Sequence, residues 1–359
     1  MFVTNAPSKY IQGENIIDAI GELIGELGGR ILVVSTASNL KRLKSRLEKA
    51  LAKSNKTTFY YEFGVECTQA EIDAVCRSFS DNGCEVIVGC GGGKVIDTAR
   101  AAADAVGCPL VVVPTSASND SPCSALSVIH DDNGRIVEVR IVKNNPTIVL
   151  VDTGVIANAP ARLLVAGMGD ALATWFEAIE CEKNGGVTNA GGKTSPAAMA
   201  LAESCHNTLL KHGAQAVKDV KRHIISDELE KVVHANIYLS GMGFESGGVA
   251  AAHGINEGLS VLPETARLLH GELVGFGVLC LLELAGYADD MKREIYSFMR
   301  DVGLPVNLSE LELGDLREEQ LIAAAQAAYE SPPMRNMSES IKPQDIFNAI
   351  IKVNSYCFE

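Results

Sequence analysis

The stretch Glu85-Val86-Ile87-Val88-Gly89-Cys90-Gly91-Gly92-Gly93-Lys94-Val95-Ile96-Asp97-Thr98-Ala99-Arg100 decides how the chain folds. Glu85 to Val88 is a short apolar run that reads as a strand, and Val95 to Ala105 repeats at helical spacing. The glycines between them form a strand–turn–helix junction. Without side chains, they let backbone N–H groups approach an anion, and the helix that follows adds its positive N-terminal end. The pattern is neither a P-loop, since no Lys-Ser/Thr pair follows, nor a clean GxGxxG. By itself the junction reads equally well as a phosphate cradle or as a tight turn.

Working outward, the same alternation continues on both sides. Ile16 to Leu27 is helical and is stopped by Gly28-Gly29, Arg30 to Ser35 is a strand, and Leu40 to Lys53 is helical. Thr57 to Phe63 reads as a strand, Ala70 to Asn82 as a helix, and Leu110 to Val113 as a strand ending at Pro114-Thr115. Strands that alternate with helices predict a parallel sheet covered on both faces. Ala125 to His130 and Ile136 to Val142 flank Asp131-Asp132-Asn133-Gly134, which predicts an antiparallel hairpin with an Asn-Gly turn. Thr147 to Val151 is a further strand.

After Asn158-Ala159-Pro160 the strand signals stop. Helices are expected over Ala161 to Cys181, Pro196 to His212, Glu228 to Phe244, Val249 to Leu259 and Leu273 to Gly286, and again over Met291 to Val302, Arg317 to Tyr329 and Pro343 to Tyr356. The expected architecture is an α/β dinucleotide-binding domain over residues 1–160 and an all-helical domain over 161–359.

Composition narrows the function. The 359 residues are 47% hydrophobic and 21% charged, which excludes disorder as the main state, and the formal charge is −14. Such a chain repels phosphate backbones and anionic lipid, so neither nucleic acid nor a membrane surface is the expected partner; a small molecule is. The ten cysteines form no CxxC pair and read as buried free thiols of a reducing compartment rather than a disulfide framework. Met1 to Tyr10 does not resemble a signal peptide, and no apolar run is long enough to span a bilayer, so the cytoplasm is the expected location.

Several polar residues stand out. Asp97, three residues after Lys94, either answers the helix dipole, holds Lys94 or touches the substrate end of a cofactor. Pro114-Thr115-Ser116-Ala117-Ser118-Asn119-Asp120 leaves the next strand, and loops at the C-terminal ends of neighbouring parallel strands converge on one crevice. Of the seven histidines, most read as surface or helix-end residues. His253 and His270 differ, because both lie among small residues, as does Asp170 in Gly167-Met168-Gly169-Asp170-Ala171-Leu172. Asp170 reads as a helix N-cap and the histidines as satisfied core residues; alternatively, one carboxylate and two imidazoles suit Zn²⁺ or Fe²⁺ with positions left open for a substrate.

Over essentially its whole length the chain resembles the iron-containing (metal-dependent) alcohol dehydrogenase superfamily, and within it the glycerol-oxidising branch. The motifs that carry the resemblance are Gly91-Gly92-Gly93-Lys94 with Asp97-Thr98-Ala99, Pro114-Thr115 through Asp120-Ser121-Pro122-Cys123-Ser124-Ala125-Leu126-Ser127-Val128, and Asn158-Ala159-Pro160-Ala161-Arg162-Leu163. Further on are Gly167-Met168-Gly169-Asp170 through Glu177, Leu239-Ser240-Gly241-Met242-Gly243-Phe244-Glu245-Ser246-Gly247-Gly248, and His270-Gly271-Glu272. The resemblance implies a dehydroquinate synthase-like architecture with the active site between the two domains. It implies Asp170, His253 and His270 as metal ligands, for Zn²⁺ with Fe²⁺ as the alternative. For NAD it implies Gly91, Gly92, Gly93, Lys94 and Asp97, with Thr115, Ser118, Ser124, Leu126, Val128 and His130 lining the remaining pockets. For a polyol it implies Asp120, Phe244 and His253, with Asp120, Asp170, His253 and His270 as the catalytic set. The implied reaction is hydride transfer between a small polyol, glycerol first, and NAD, in a homo-oligomer between dimer and octamer.

The chain departs from the family's usual pattern in a few places. Ser35-Thr36-Ala37 stands where an acidic residue usually meets the adenosine ribose, which leaves NAD against NADP open. His130 replaces a Tyr, Asn256 a His, Glu257 an Asn and Leu273 a Lys. Two readings compete with the dehydrogenase. One is a same-fold dehydroquinate-synthase-like or glycerol-1-phosphate dehydrogenase activity, which needs a basic pocket, whereas Arg267 is the only cation between residues 244 and 272. The other is a nucleotide-binding member without turnover.

Overall fold

Six strands form one sheet in which every neighbouring pair is parallel, in the order β1-β8-β5-β4-β2-β3. The computed structural model describes residues 1–132 and 134–358. The α/β half runs β1 (Lys9–Gly13), α1 (Ile20–Ile24), β2 (Arg30–Thr36), α2 (Ala37–Lys53), β3 (Thr57–Phe63), α3 (Gln69–Asp81), β4 (Val86–Gly91), α4 (Gly93–Val106) and β5 (Leu110–Pro114). There follow the antiparallel ribbon β6 (Leu126–His130) and β7 (Ile136–Ile141), then β8 (Ile148–Asp152) and α5 (Thr153–Ala157). The remaining helices are α6 (Ala161–Lys183), α7 (Pro196–Val220), α8 (Asp227–His234), α9 (Ser240–Gly247), α10 (Ala251–Leu259), α11 (His270–Leu284), α12 (Asp289–Val302), α13 (Glu318–Glu330) and α14 (Pro343–Asn354).

The apolar runs are strands because they are buried on both faces. Ile31, Val33, Val86, Val88, Val111, Val113 and Leu150 pack against α2 and the segment around α1. Their alternating neighbours Leu32, Val34, Ile87, Val112, Val149 and Val151 belong to the larger core shared with the helical half. Every residue of β4, β5 and β8 is buried. The order in which strands are added reverses between β2 and β4: β2 leads outward to β3, whereas β4 leads the other way to β5. Ligands of open parallel sheets bind at such a switch point, and here Gly92 and the start of α4 occupy it.

Some expectations are corrected. The helix expected over Ile16 to Leu27 is a 3₁₀ turn, Ile16–Ala19, followed by the short α1. β1 is an unexpected strand, half-exposed at the sheet edge. The helix expected over Glu228 to Phe244 is α8 and α9 joined by a π-helical turn at Ala235–Leu239. In the hairpin turn, Asn133 lies outside the described residues. All ten cysteines are free, but Cys357 is exposed and Cys76 and Cys108 are only half-buried. Among the described residues no helix is long and apolar enough to cross a membrane.

Candidate metal and cofactor site

Asp170 does not cap a helix. It sits in the middle of the 23-residue α6, which starts at Ala161 after Pro160. The glycines beside it serve contact between helices. A Cβ on Gly169 would collide with the carbonyl of Gly271, one on Gly271 with the carbonyl of Ala166, and one on Gly167 with the carbonyl of Ala117. Only glycine lets α6 touch both the start of α11 and the loop after β5. That contact brings His270, the first residue of α11, to Asp170, with Nε2 3.2 Å from Oδ1.

His253 arrives from α10, with Nε2 3.6 Å from the same Oδ1. One ligand atom from each of Asp170, His253 and His270 lies within 4.8 Å of the others. Asp170 Oδ1 is buried and accepts no hydrogen bond, although two imidazole nitrogens face it. Its partner Oδ2 accepts the backbone N–H of Asp120 at 3.1 Å. A buried carboxylate oxygen without a hydrogen bond, faced by two imidazoles, is the donor set of a three-ligand divalent metal site with open positions. The residues present therefore fit a resident metal ion.

Glu177, which the sequence reading left without a role, orients His253. Its Oε2 lies 2.6 Å from His253 Nδ1, and its Oε1 accepts the N–H groups of Ala250 at 2.8 Å and His253 at 2.9 Å. An ionised carboxylate only accepts, so Nδ1 carries the proton and Nε2 is left for the metal. Glu177 also does the work of an N-cap for α10, whose own Ala250 offers none. The chain reaches this point through Gly248, held at φ +102° against Cys181. The available signal was seven-residue spacing from Asp170, which puts both carboxyls on one face of α6.

Electrostatics follow from the crowding. Burial opposes ionisation of Asp170, but His270 and His253 outweigh it and hold its pKa well below the usual carboxylate range. Burial also opposes the charged form of His253, yet Glu177 and Asp170 raise its pKa. Asp120 is pushed the other way, by burial and then by the charge of Asp170, against a hydrogen bond from Ser240 Oγ at 2.7 Å. Ser240 also meets Thr174 at 2.8 Å, and Phe244 lies buried one turn further along α9.

The glycine loop meets the other expectations unevenly. A Cβ on Gly91 would sit 2.6 Å from Val95, so that glycine packs α4 on β4. Gly92 is different: a Cβ there meets nothing within 4 Å, and no side chain caps the start of α4. The first backbone N–H groups of α4 are thus left without a side-chain cap beside open space, the arrangement by which helix N-termini bind anions. Asp97 does not hold Lys94. It binds Arg100 at 2.7 Å, Ser121 at 2.9 Å and the Val128 N–H at 3.2 Å, bracing β6, while Lys94 Nζ reaches Glu66 at 2.5 Å.

The residues expected around the cofactor occupy neighbouring positions. Thr115 Oγ1 accepts from Asn39 at 3.3 Å, Ser118 pairs with Ser116 at 3.2 Å, and Ser124 is buried with its hydroxyl on the Ser121 carbonyl. Leu126 and Val128 are half-buried on β6, and His130 Nδ1 lies 3.3 Å from Glu66. At the end of β2, Ser35 donates to the Cys90 carbonyl and Thr36 caps α2, so neither hydroxyl is idle. Of the histidines expected at the surface, His206 is instead buried against Phe176.

The family model for iron-containing alcohol dehydrogenase matches residues 7–153. A glycerol dehydrogenase of Escherichia coli is 42% identical over 355 residues, covering 99% of this chain and 97% of its own. The chain belongs to the iron-containing alcohol dehydrogenase family. A second relative, the glycerol dehydrogenase of Thermotoga maritima, is 42% identical over 98% of this chain and 96% of its own length. The crystal structure of glycerol dehydrogenase from Schizosaccharomyces pombe superposes with a TM-score of 0.95 at 32% identity, over 99% of this chain and 91% of that one. This member of the iron-containing alcohol dehydrogenase family is therefore an enzyme of the alcohol dehydrogenase class, with the parallel-sheet-plus-helices fold of its relatives.

Proposed function

We propose that the enzyme transfers hydride between a small polyol, glycerol first, and NAD, with Asp170, His253 and His270 holding a divalent metal, Zn²⁺ with Fe²⁺ as the alternative. The observation that carries the reading is the hydrogen-bond-free Oδ1 of Asp170 faced by two imidazoles, one of them fixed by Glu177. Near-full-length relatives that carry the name glycerol dehydrogenase support the substrate. They do not favour the dehydroquinate-synthase-like, glycerol-1-phosphate or non-catalytic alternatives.

When bound, the metal supplies Lewis acidity toward a substrate hydroxyl, and the nicotinamide supplies the hydride acceptor. The chain's own residues do the rest. Glu177 fixes the tautomer of His253, and the Asp120 N–H fixes Asp170. The Asp120 carboxyl, itself anchored by Ser240, faces the polyol; Phe244 supplies an apolar wall that excludes water. Gly92 and the start of α4 seat the pyrophosphate, Lys94 adds charge, and Thr115, Ser118, Ser124, Leu126, Val128 and His130 line the rest of the cofactor's path. Asp97 acts through β6. Residues 1–160 form the nucleotide half and 161–359 the metal and substrate half, in a cytoplasmic homo-oligomer.

The test is turnover by purified, zinc-loaded protein with NAD⁺ and NADP⁺ against glycerol, 1,2-propanediol and small hydroxy acids, and with NADH and NADPH against dihydroxyacetone. NADH formation with glycerol that is lost on chelation supports the reading. Absence of turnover with every diol and hydroxyketone refutes it.

A further inference from the structure

α10 carries a second carboxylate toward the site. Asn256 and Glu257 follow His253 by three and four residues, which puts both on its face of the helix. Glu257 is half-buried. It lies one turn of α10 beyond His253; burial raises its pKa, and the charges that act on it are those of His253, His270 and Glu177. Among the described residues it has no hydrogen-bond or ion-pair partner. Arg162, which sits by Glu272 at the start of α11, is committed to both oxygens of that residue at 2.6 and 2.7 Å. Asp120, Asp170 and Glu177 are buried carboxyls of the same neighbourhood.

We infer that Glu257 is a specificity-determining residue that selects uncharged polyols and rejects hydroxycarboxylates. The inference rests on the polyol dehydrogenase reading and deepens it. An ionised carboxylate accepts hydrogen bonds and donates none, so an unpartnered one beside the reacting centre matches a substrate hydroxyl. The same charge, in a site of reduced dielectric and without an arginine or lysine to answer it, repels a second carboxylate brought by the substrate. Rejection therefore comes from a repulsive element as well as from fit.

The experiment uses the zinc-loaded enzyme as wild type, Glu257→Gln and Glu257→Ala. It reads kcat and KM for glycerol and for glycerate, the binding of glycolate by calorimetry, and zinc content. In the glutamine variant the glycerol KM rises. The glycerate-to-glycerol ratio of kcat/KM climbs roughly tenfold or more, and glycolate binds tighter by a similar factor, with zinc unchanged. A ratio and a glycolate affinity that stay within about twofold of wild type in both variants overturn the inference. So does loss of zinc in the glutamine variant, which assigns Glu257 to the metal instead. If wild type oxidises no polyol, the function reading has failed, and glycolate binding still decides the charge effect on its own.

Discussion

Glu177 Oε2 and His253 Nδ1 lie 2.6 Å apart, inside a helix pairing that leaves His253 Nε2 directed at Asp170. The carboxylate sets which imidazole nitrogen is available for a metal and at the same time ties down the first turn of α10. Replacing Glu177 with Ala should lower zinc affinity by about 10- to 100-fold, the usual effect of removing a group that orients a metal-bound histidine. Glu177→Gln should recover part of it, because the amide oxygen can still accept. Zinc competition against a chromophoric chelator measures both; an unchanged affinity in the alanine variant contradicts the role.

Glycine at 169 and 271 is a packing requirement. Gly169→Ala and Gly271→Ala each place a Cβ on a carbonyl of the other helix, which separates α6 from α11. Each should cost about 1–3 kcal/mol or more in urea unfolding, as overpacking against backbone does. Each should also reduce bound zinc, because His270 moves with α11. A variant with full stability and full zinc content would show that the helices do not need this approach.

The neighbouring glycines of the loop should separate stability from cofactor binding. Gly91→Ala meets Val95 at 2.6 Å and should destabilise the fold, whereas Gly92→Ala meets nothing and should leave stability within about 1 kcal/mol. The Gly92 variant should nevertheless bind NADH at least about tenfold more weakly, since its methyl enters the anion seat. NADH fluorescence titration beside urea unfolding reads the two effects; equal NADH affinity in the Gly92 variant would remove the seat from this loop.

Away from the site, Glu283 on α11 should dominate a stability change in acid. Burial raises its pKa, but hydrogen bonds from Lys292, Lys352 and Tyr356 outweigh that and bring it to about 2. A carboxylate depressed from an unfolded value of about 4.3 contributes stability that is complete above that value and is lost as pH falls toward the folded pKa. The stability advantage of wild type over Glu283→Gln should therefore be constant above about pH 5.5 and shrink below about pH 4. An advantage that grows on acidification has the wrong sign for this network. Urea unfolding at stepped pH checks it.

The sheet was readable because buried parallel strands are continuous apolar runs. β1 was not, since its edge position leaves only Tyr10 and Ile11 as apolar residues, both half-exposed. The π turn at Ala235–Leu239 has no local signature, because Asn236 belongs there for its distant bonds to the carbonyls of Ala117 and Leu164. Asp170 looked like a helix start because glycines flank it; their purpose is contact with α11 and with the loop after β5, which no local pattern reveals. Residues 170, 253 and 270 stood out by chemistry, but their meeting depends on three helices crossing. Glu177 was hidden by its ordinary place in a long helix.

On the proposed function, Asp170, His253 and His270 together grip one divalent cation. Anomalous diffraction from zinc-soaked crystals, recorded on both sides of the zinc edge, tests it most directly. One strong peak is expected about 2.0–2.2 Å from Asp170 Oδ1 and from Nε2 of His253 and His270. A fully zinc-exposed crystal with no peak there, or with the zinc held by other side chains, would contradict it.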